Sequence, residues 1–297
     1  MPSYEEYQDN LNLPPIKQLW VLFNDKLSAR VGLWLFITFL LLSILAPFIS
    51  PYSPYEIDDG ALLLPPAWSD SGNVDHMLGT DDLGRDILSR LMNGASLTFG
   101  LSIISVLTAL AFGLVIGALA GLSKGVKSSM FNHFLDLALT IPSLLIAIII
   151  VAILGPGIAN MIWAIILSSL PQFVHAIRNA VHDELQKEYV IAYRLDGASM
   201  TQVLIHAILP NIFEHIIVVV TMAISNAILD IAALGFLRLG AQTPSPEWGA
   251  MVAESLDQLY SAPWTIALPG ILIFLSVLSI NLVGDGMTGA LKRRLDR

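Results

Sequence analysis

The chain has 297 residues, 55% of them hydrophobic and 13% charged, against roughly 45–50% apolar and about 25% charged in an ordinary soluble domain. That surplus, with a mean hydropathy of +0.70, excludes a soluble multidomain enzyme and marks a membrane protein. The lack of cysteine excludes disulfides, iron–sulfur clusters and thiolate zinc sites, and a net charge of -9 argues against nucleic acid, whose binders need a basic face.

A hydrophilic segment, residues 1–30, precedes the first apolar run. Runs of about 17 to 25 apolar residues, long enough to cross a bilayer, then predict six membrane spans: 31–49, 97–122, 137–154, 158–174, 216–237 and 265–283. The first span is followed by Ala46-Pro47-Phe48 rather than a small-residue cleavage site, so it reads as a retained anchor. Prolines at Pro142 and Pro171 interrupt the third and fourth spans, and Gly155-Pro156-Gly157 leaves only a tight hairpin between them. Six spans put both ends on one side. With the N-terminus inside, the inner segments hold 12 of the 15 basic residues, while the outer ones hold only Arg85, Arg90 and Arg238. Basic residues are retained in the cytoplasm, so the assignment is N-in and C-in. The expected organisation is an all-α membrane protein: residues 31–287 form the transmembrane domain and residues 288–297 a cytoplasmic tail.

Two hydrophilic excursions break this pattern. The outer one, residues 50–96, carries Pro51, Pro54, Pro65 and Pro66 and eight acids from Glu56 to Asp86, and predicts an irregular loop followed by a short helix over 81–92. The inner one, residues 175–211, interleaves charge with Val181, Leu185, Val190, Leu195 and Val203, and predicts short amphipathic helices broken at Gly197. Gly113, Gly117 and Gly121 repeat every four residues in the second span, a stripe that lets helix backbones approach closely.

Chemistry is sparse. No Gly-x-x-x-x-Gly-Lys-Ser/Thr phosphate loop is present, so an ATP-driven process would need another chain to hydrolyse ATP. The six histidines form no His-x-x-x-His pair, and no Gly-x-Ser-x-Gly elbow exists, so no enzyme site is expected. Asp230 falls inside a span and Asp136 stands at the edge of one; buried membrane carboxylates are costly and functional by default. They leave open a secondary ion- or proton-coupled transporter or channel. For Asp230 the expected local partner is Asn226, four residues back on the same face, and for Asp285 a surface pairing with Lys292 or Arg293.

Two stretches carry a family likeness. Leu78-Gly-Thr-Asp-Asp-Leu-Gly-Arg-Asp-Ile-Leu-Ser-Arg-Leu91 with Gly94 and Gly100, and Ala233-Leu-Gly-Phe-Leu-Arg-Leu-Gly240 through Pro244-Ser-Pro-Glu-Trp-Gly-Ala-Met251, resemble the inner-membrane permeases of dipeptide, oligopeptide and nickel ABC importers. A third stretch partly resembles the general cytoplasmic motif of ABC permeases: Ala192, Gly197 and Leu209-Pro210 match, while Ile191, Tyr193 and Ala207 replace its Glu, second Ala and Ile. Glu188 and Asp196 keep acidic groups nearby. The resemblance implies a type I permease fold in the cell inner membrane. It implies a sister permease, two cytoplasmic ATPases that bind the ATP, and a periplasmic binding protein. It also implies a helix ending at Gly197 that couples to an ATPase, with Glu188, Tyr189, Ala192, Asp196, Gly197, Ala198, Leu209 and Pro210 as coupling residues and Asp230 as a pathway candidate. The implied cargo is peptide, cationic antimicrobial peptides included, with polyamine, haem or nickel as alternatives within the family.

Overall fold

The computed structural model describes residues 14–123 and 125–295; residues 1–13 of the expected N-terminal segment, Lys124, and Asp296 and Arg297 of the tail lie outside them. The described chain is helical: α1 (Pro15–Asn24), α2 (Leu27–Ile49), α3 (Ile87–Leu122), α4 (Val126–Leu139), α5 (Ser143–Leu154), α6 (Ile158–Glu184), α7 (Glu188–Leu195), α8 (Met200–Phe236), α9 (Trp248–Glu254) and α10 (Trp264–Leu295). Helices α2, α3, α6, α8 and α10 are each long and apolar enough to cross a membrane alone.

The third predicted span is not one straight helix. The pair Ser129–Leu139 and Ser143–Leu154 bends by 87°, because Pro142 donates no backbone hydrogen bond and pushes Ile141 out of helical conformation. Helix α5, with 12 residues, is about 18 Å long and falls short of a hydrocarbon core of about 30 Å, so α4 and α5 together make the sixth crossing. The packing requires such a return. An added Cβ on Gly113, Gly117 or Gly121 of α3 would lie 2.5 Å from Phe173, 2.9 Å from Ile177 or 2.8 Å from Val181 of α6, in matching order. These helices therefore run parallel, with backbones held close by the glycine stripe, and the chain between them must come back across.

Three other boundaries move. The short outer helix expected over 81–92 starts at Ile87 instead, where the Asp86 carboxylate accepts from the Ser89 N–H at 2.8 Å as an N-cap. It then continues through a π turn at Ser96–Gly100 into the second span. At the inner face, α6 runs ten residues past its predicted end at 174 and α8 begins sixteen before 216. A helix of 37 residues such as α8 is about 55 Å long and overreaches the bilayer. The expected 175–211 loop therefore shrinks to residues 185–199, carried on two helical arms.

Helix α1 packs its Leu22 and Phe23 against Ala29 and Ala290 at the base of α2 and α10. Arg293 lies 4.0 Å from Asp25 at the end of α1 rather than pairing with Asp285, from which eight residues of helix, about 12 Å, separate it.

Candidate functional site

On the outer face, the residues of the two long family-like stretches meet. Arg85 and Arg90 are 2% and 1% exposed. Arg85 donates from Nε to Asp81 at 2.7 Å and from Nη2 to Glu254 at 3.0 Å. Arg90 donates from Nη2 to Glu254 at 2.9 Å and from Nη1 to the Pro54 and Pro244 carbonyls at 3.4 and 3.3 Å. Arg85 and Arg90 are thus paired with Asp81 and Glu254, and bolt the 50–86 loop to α9. Beside them Glu247 is fully buried, accepting from Thr98 Oγ1 at 2.8 Å and from the Gly249 and Ala250 N–H groups at 2.9 and 2.8 Å. Burial pushes its carboxyl up to about 7, against the pull of those donors. Gly94, Gly235 and Gly249 let α9 sit this close: a Cβ on Gly235 would fall 1.8 Å from Glu247, and one on Gly249 2.0 Å from the Ala232 carbonyl.

In the outer half of α8, six residues before its end, Asp230 is 8% exposed. Its carboxylate accepts from Ser143 Oγ at 2.9 Å. Asn226 is exposed and is not the partner; Ser143, at the head of α5 just past the Pro142 bend, takes that place. Asp136 belongs to a different seam, where Asn132 donates to it at 3.2 Å and His175 Nδ1 of α6 lies 3.4 Å away. The two carboxylates suggested for an ion site therefore serve separate helix contacts.

At the inner face, α7 hangs between the arms. Glu188 opens it, where a negative side chain suits the positive end of the helix. Asp196 caps its far end, with its N–H on the Ala192 carbonyl at 3.0 Å. Gly197 follows at φ +89°, with no atom within 4 Å of an added Cβ. The glycine is required by the left-handed turn, not by crowding. Ile191, Arg194, Leu195, Ala198 and Met200 line an open groove of about 450 Å³ at this tip, and Leu195 is 83% exposed. Leu209 and Pro210 lie off the tip, on α8 just beyond a second π turn at Val203–Ile208. There the widened turn accommodates a proline ring that would otherwise clash with the carbonyl four residues back. Tyr189 reaches their neighbour: its hydroxyl donates to Glu184 and accepts from Asn211 Nδ2 at 3.0 Å.

Residues 113–297 match the family model described as binding-protein-dependent transport system inner membrane component, and residues 14–66 match that for the N-terminal TM domain of oligopeptide transport permease C. The chain belongs to this permease family. Among curated relatives, the peptide transport system permease protein SapC of Escherichia coli O6:H1 is 49% identical over 98% of both chains. The di/tripeptide transport system permease protein DppC of Pseudomonas aeruginosa is 44% identical over 95% of this chain and 93% of its own. The inward-facing MetNI methionine ABC transporter gives a TM-score of 0.53 at 16% identity, covering 66% of this chain and 93% of that one. This likeness carries the fold, that of a type I ABC permease, and the family model places the chain among inner-membrane components.

Thr98, Glu254, Glu184 and Asn211 escaped the sequence reading, and Glu247 entered it only as part of the Pro244–Met251 stretch, with no role of its own. Glu247 alone left a usable signal: an acid after Pro246 and before Trp248-Gly249 is placed to cap a helix.

Proposed function

We propose that this permease is one of two transmembrane halves of an ATP-driven peptide transporter, with α7 as the coupling helix that docks on a cytoplasmic ATPase. The observation that carries the reading is the exposed groove at the tip of two helices that outreach the bilayer, where the apolar side chains of Ile191, Leu195 and Met200 stand in water beside Arg194. An apolar tip in water calls for a partner, and rigid helical arms would deliver its displacement into the spans. In this role Glu188 and Asp196 present charge at the two ends of α7. Ala192 keeps its exposed surface low, Gly197 and Ala198 turn the chain, and Leu209 and Pro210 shape the joint with α8.

The curated SapC relatives suggest the partners: a SapB-like sister permease, SapD- and SapF-like ATPases and a SapA-like binding protein. Cationic peptides, antimicrobial ones included, suit a chain whose outer loop is rich in acids and of whose three outer arginines two, Arg85 and Arg90, are occupied internally. ATP would be bound by the ATPases and not by this chain. Purified by itself, the chain is expected to hydrolyse no ATP above background and to bind no nucleotide at micromolar concentration. Measured binding there would overturn the division of labour. Co-purification with the two ATPases, followed by hydrolysis assays in lipid with and without the binding protein, tests the assembly.

Asp230 enters this reading as a charge on the pathway that favours cationic cargo. Asp230→Asn keeps the size and can still accept from Ser143, so the α5–α8 joint should hold. Uptake of a cationic peptide into proteoliposomes is expected to fall about tenfold, the effect of roughly 1.4 kcal/mol of lost attraction, while ATPase stimulation and assembly persist. Unchanged uptake would leave Asp230 as a packing residue.

A further inference from the structure

The coupling helix is joined to its arms by two turns, residues 185–187 after α6 and residues 196–199 before α8. Such turns can absorb motion, so a push on α7 would be lost unless something ties the helix across them. Its buried Val190 gives an apolar hold, which is non-directional. A directional hold is also present. Glu184, the last residue of α6, is 6% exposed, and its carboxylate is shared between the Tyr189 hydroxyl and Lys187 Nζ at 2.7 Å. Asn211, one residue beyond Pro210 on α8, donates one Nδ2 hydrogen to the Tyr189 oxygen at 3.0 Å and another to the Ala207 carbonyl at 2.7 Å. The phenol thus donates to Glu184 of α6, with the Ala207 carbonyl of α8 a longer alternative acceptor at 3.3 Å, and accepts from Asn211 of α8, which uses its single hydrogen and one lone pair. Burial, and then the Glu184 carboxylate, push this phenol up to about 12, so it remains a donor throughout the physiological range.

We propose that Tyr189 is the positioning residue of coupling: through Glu184 and Asn211 it locks α7 to both helical arms, so that an ATPase moving α7 moves the feet of α6 and α8 with it. The inference rests on the reading of α7 as the coupling helix and names the side chain that makes that helix rigid with respect to its arms. The ring alone would not suffice. Tyr189→Phe keeps the ring and removes the hydroxyl's hydrogen bonds, leaving Glu184 with Lys187 as its cationic partner.

The chain has no cysteine, so a spin-label pair can be introduced at two exposed positions, Asp183→Cys at the foot of α6 and Tyr193→Cys on α7. The pair is measured in the full complex with sister permease and ATPases in nanodiscs. With Tyr189 present, the label separation is expected to be the same in the nucleotide-free and ATP–vanadate states. In Tyr189→Phe it should shift between the two states, with the ATPases still bound. An invariant separation in Tyr189→Phe overturns the lock. Should Tyr189→Phe fail to assemble, Asn211→Ala removes the α8 donor and leaves only the Ala207 carbonyl at 3.3 Å, to which the hydroxyl cannot donate while its one hydrogen is on Glu184; labels at Thr201→Cys and Tyr193→Cys must then shift with nucleotide, and invariance overturns the proposal equally. If the unsubstituted chain retains no ATPase, the coupling reading falls and the lock with it. Retained ATPases with invariant labels in the variant remove the lock alone.

Discussion

Replacing Arg90 with alanine is expected to destabilise the permease by about 3–5 kcal/mol, the range for removing one partner of a buried ion pair. At 1% exposure the guanidinium is the hub of the outer face, reaching Glu254, Asp81 and the carbonyls of Pro54 and Pro244. Without it Arg85 must neutralise both Asp81 and Glu254, and the Pro54 and Pro244 carbonyls lose a donor. The apparent Tm of the detergent-solubilised chain, read by size-exclusion profiles after heating, should drop by roughly 10 °C, since each kcal/mol moves a domain of this size by about 2–4 °C. Arg90→Lys should fall between, because an ammonium cannot spread over the acceptors that a planar guanidinium reaches. Arg238, exposed on the same face, is the control, and Arg238→Ala should leave Tm nearly unmoved. A wild-type Tm in Arg90→Ala would show that the network contributes no stability.

This cluster also marks where the sequence stops being legible. The first, fifth and sixth spans follow from apolar length alone, because each is a continuous run that one helix can satisfy. The glycine stripe of the second span could be read as a close packing face, yet its partners Phe173, Ile177 and Val181 could not, since helix pairing is a tertiary fact. Helix ends were misplaced at the inner face for a physical reason. Hydropathy reports where the bilayer stops, and α6 and α8 continue as polar helices beyond it. Long-range polar partners were beyond any local rule: Ser143 stands 87 positions from Asp230, and Glu254 stands 164 from Arg90. Asn226 was the natural local candidate for Asp230, but the Pro142 bend brings a hydroxyl from another helix to the buried side, where desolvation makes a partner most valuable.

The inner face was legible in part and for a different reason. Gly197 announced a helix stop through the one conformational property that sequence can display, and the structure places it at φ +89°. The likeness of this stretch to a known motif rested on Ala192, Gly197 and Leu209-Pro210, and the absent Glu of that motif weakened any expectation of a carboxylate anchor. A carboxylate is nonetheless present at the base of the loop: Glu184, at the end of α6, receives the Tyr189 hydroxyl. It lies within a predicted polar excursion whose charges looked like solvated ones, and only the burial of Glu184 at 6% separates it from them.

Gly197→Leu is expected to abolish transport while leaving insertion and folding intact, for two separable reasons. A leucine at φ +89° strains the backbone by roughly 1–2 kcal/mol, which tilts α7 out of its turn but does not unfold a bundle stabilised elsewhere. No atom lies within 4 Å of the new Cβ, so no clash arises within the chain, and the side chain projects into the space an ATPase would occupy. Gly197→Asn separates the two effects, because asparagine tolerates the left-handed conformation and its side chain still projects outward. If backbone strain dominates, Asn should retain most transport while Leu loses at least tenfold. If the outward side chain dominates, both should shed the ATPases on purification. Membrane yield, retention of the ATPases and proteoliposome uptake, measured on the same preparations, decide between them. Normal retention and normal uptake in Gly197→Leu would end the assignment of α7 as the coupling helix, since a helix that tolerates both a wrong backbone and a bulky tip at its docking face is not transmitting force through it.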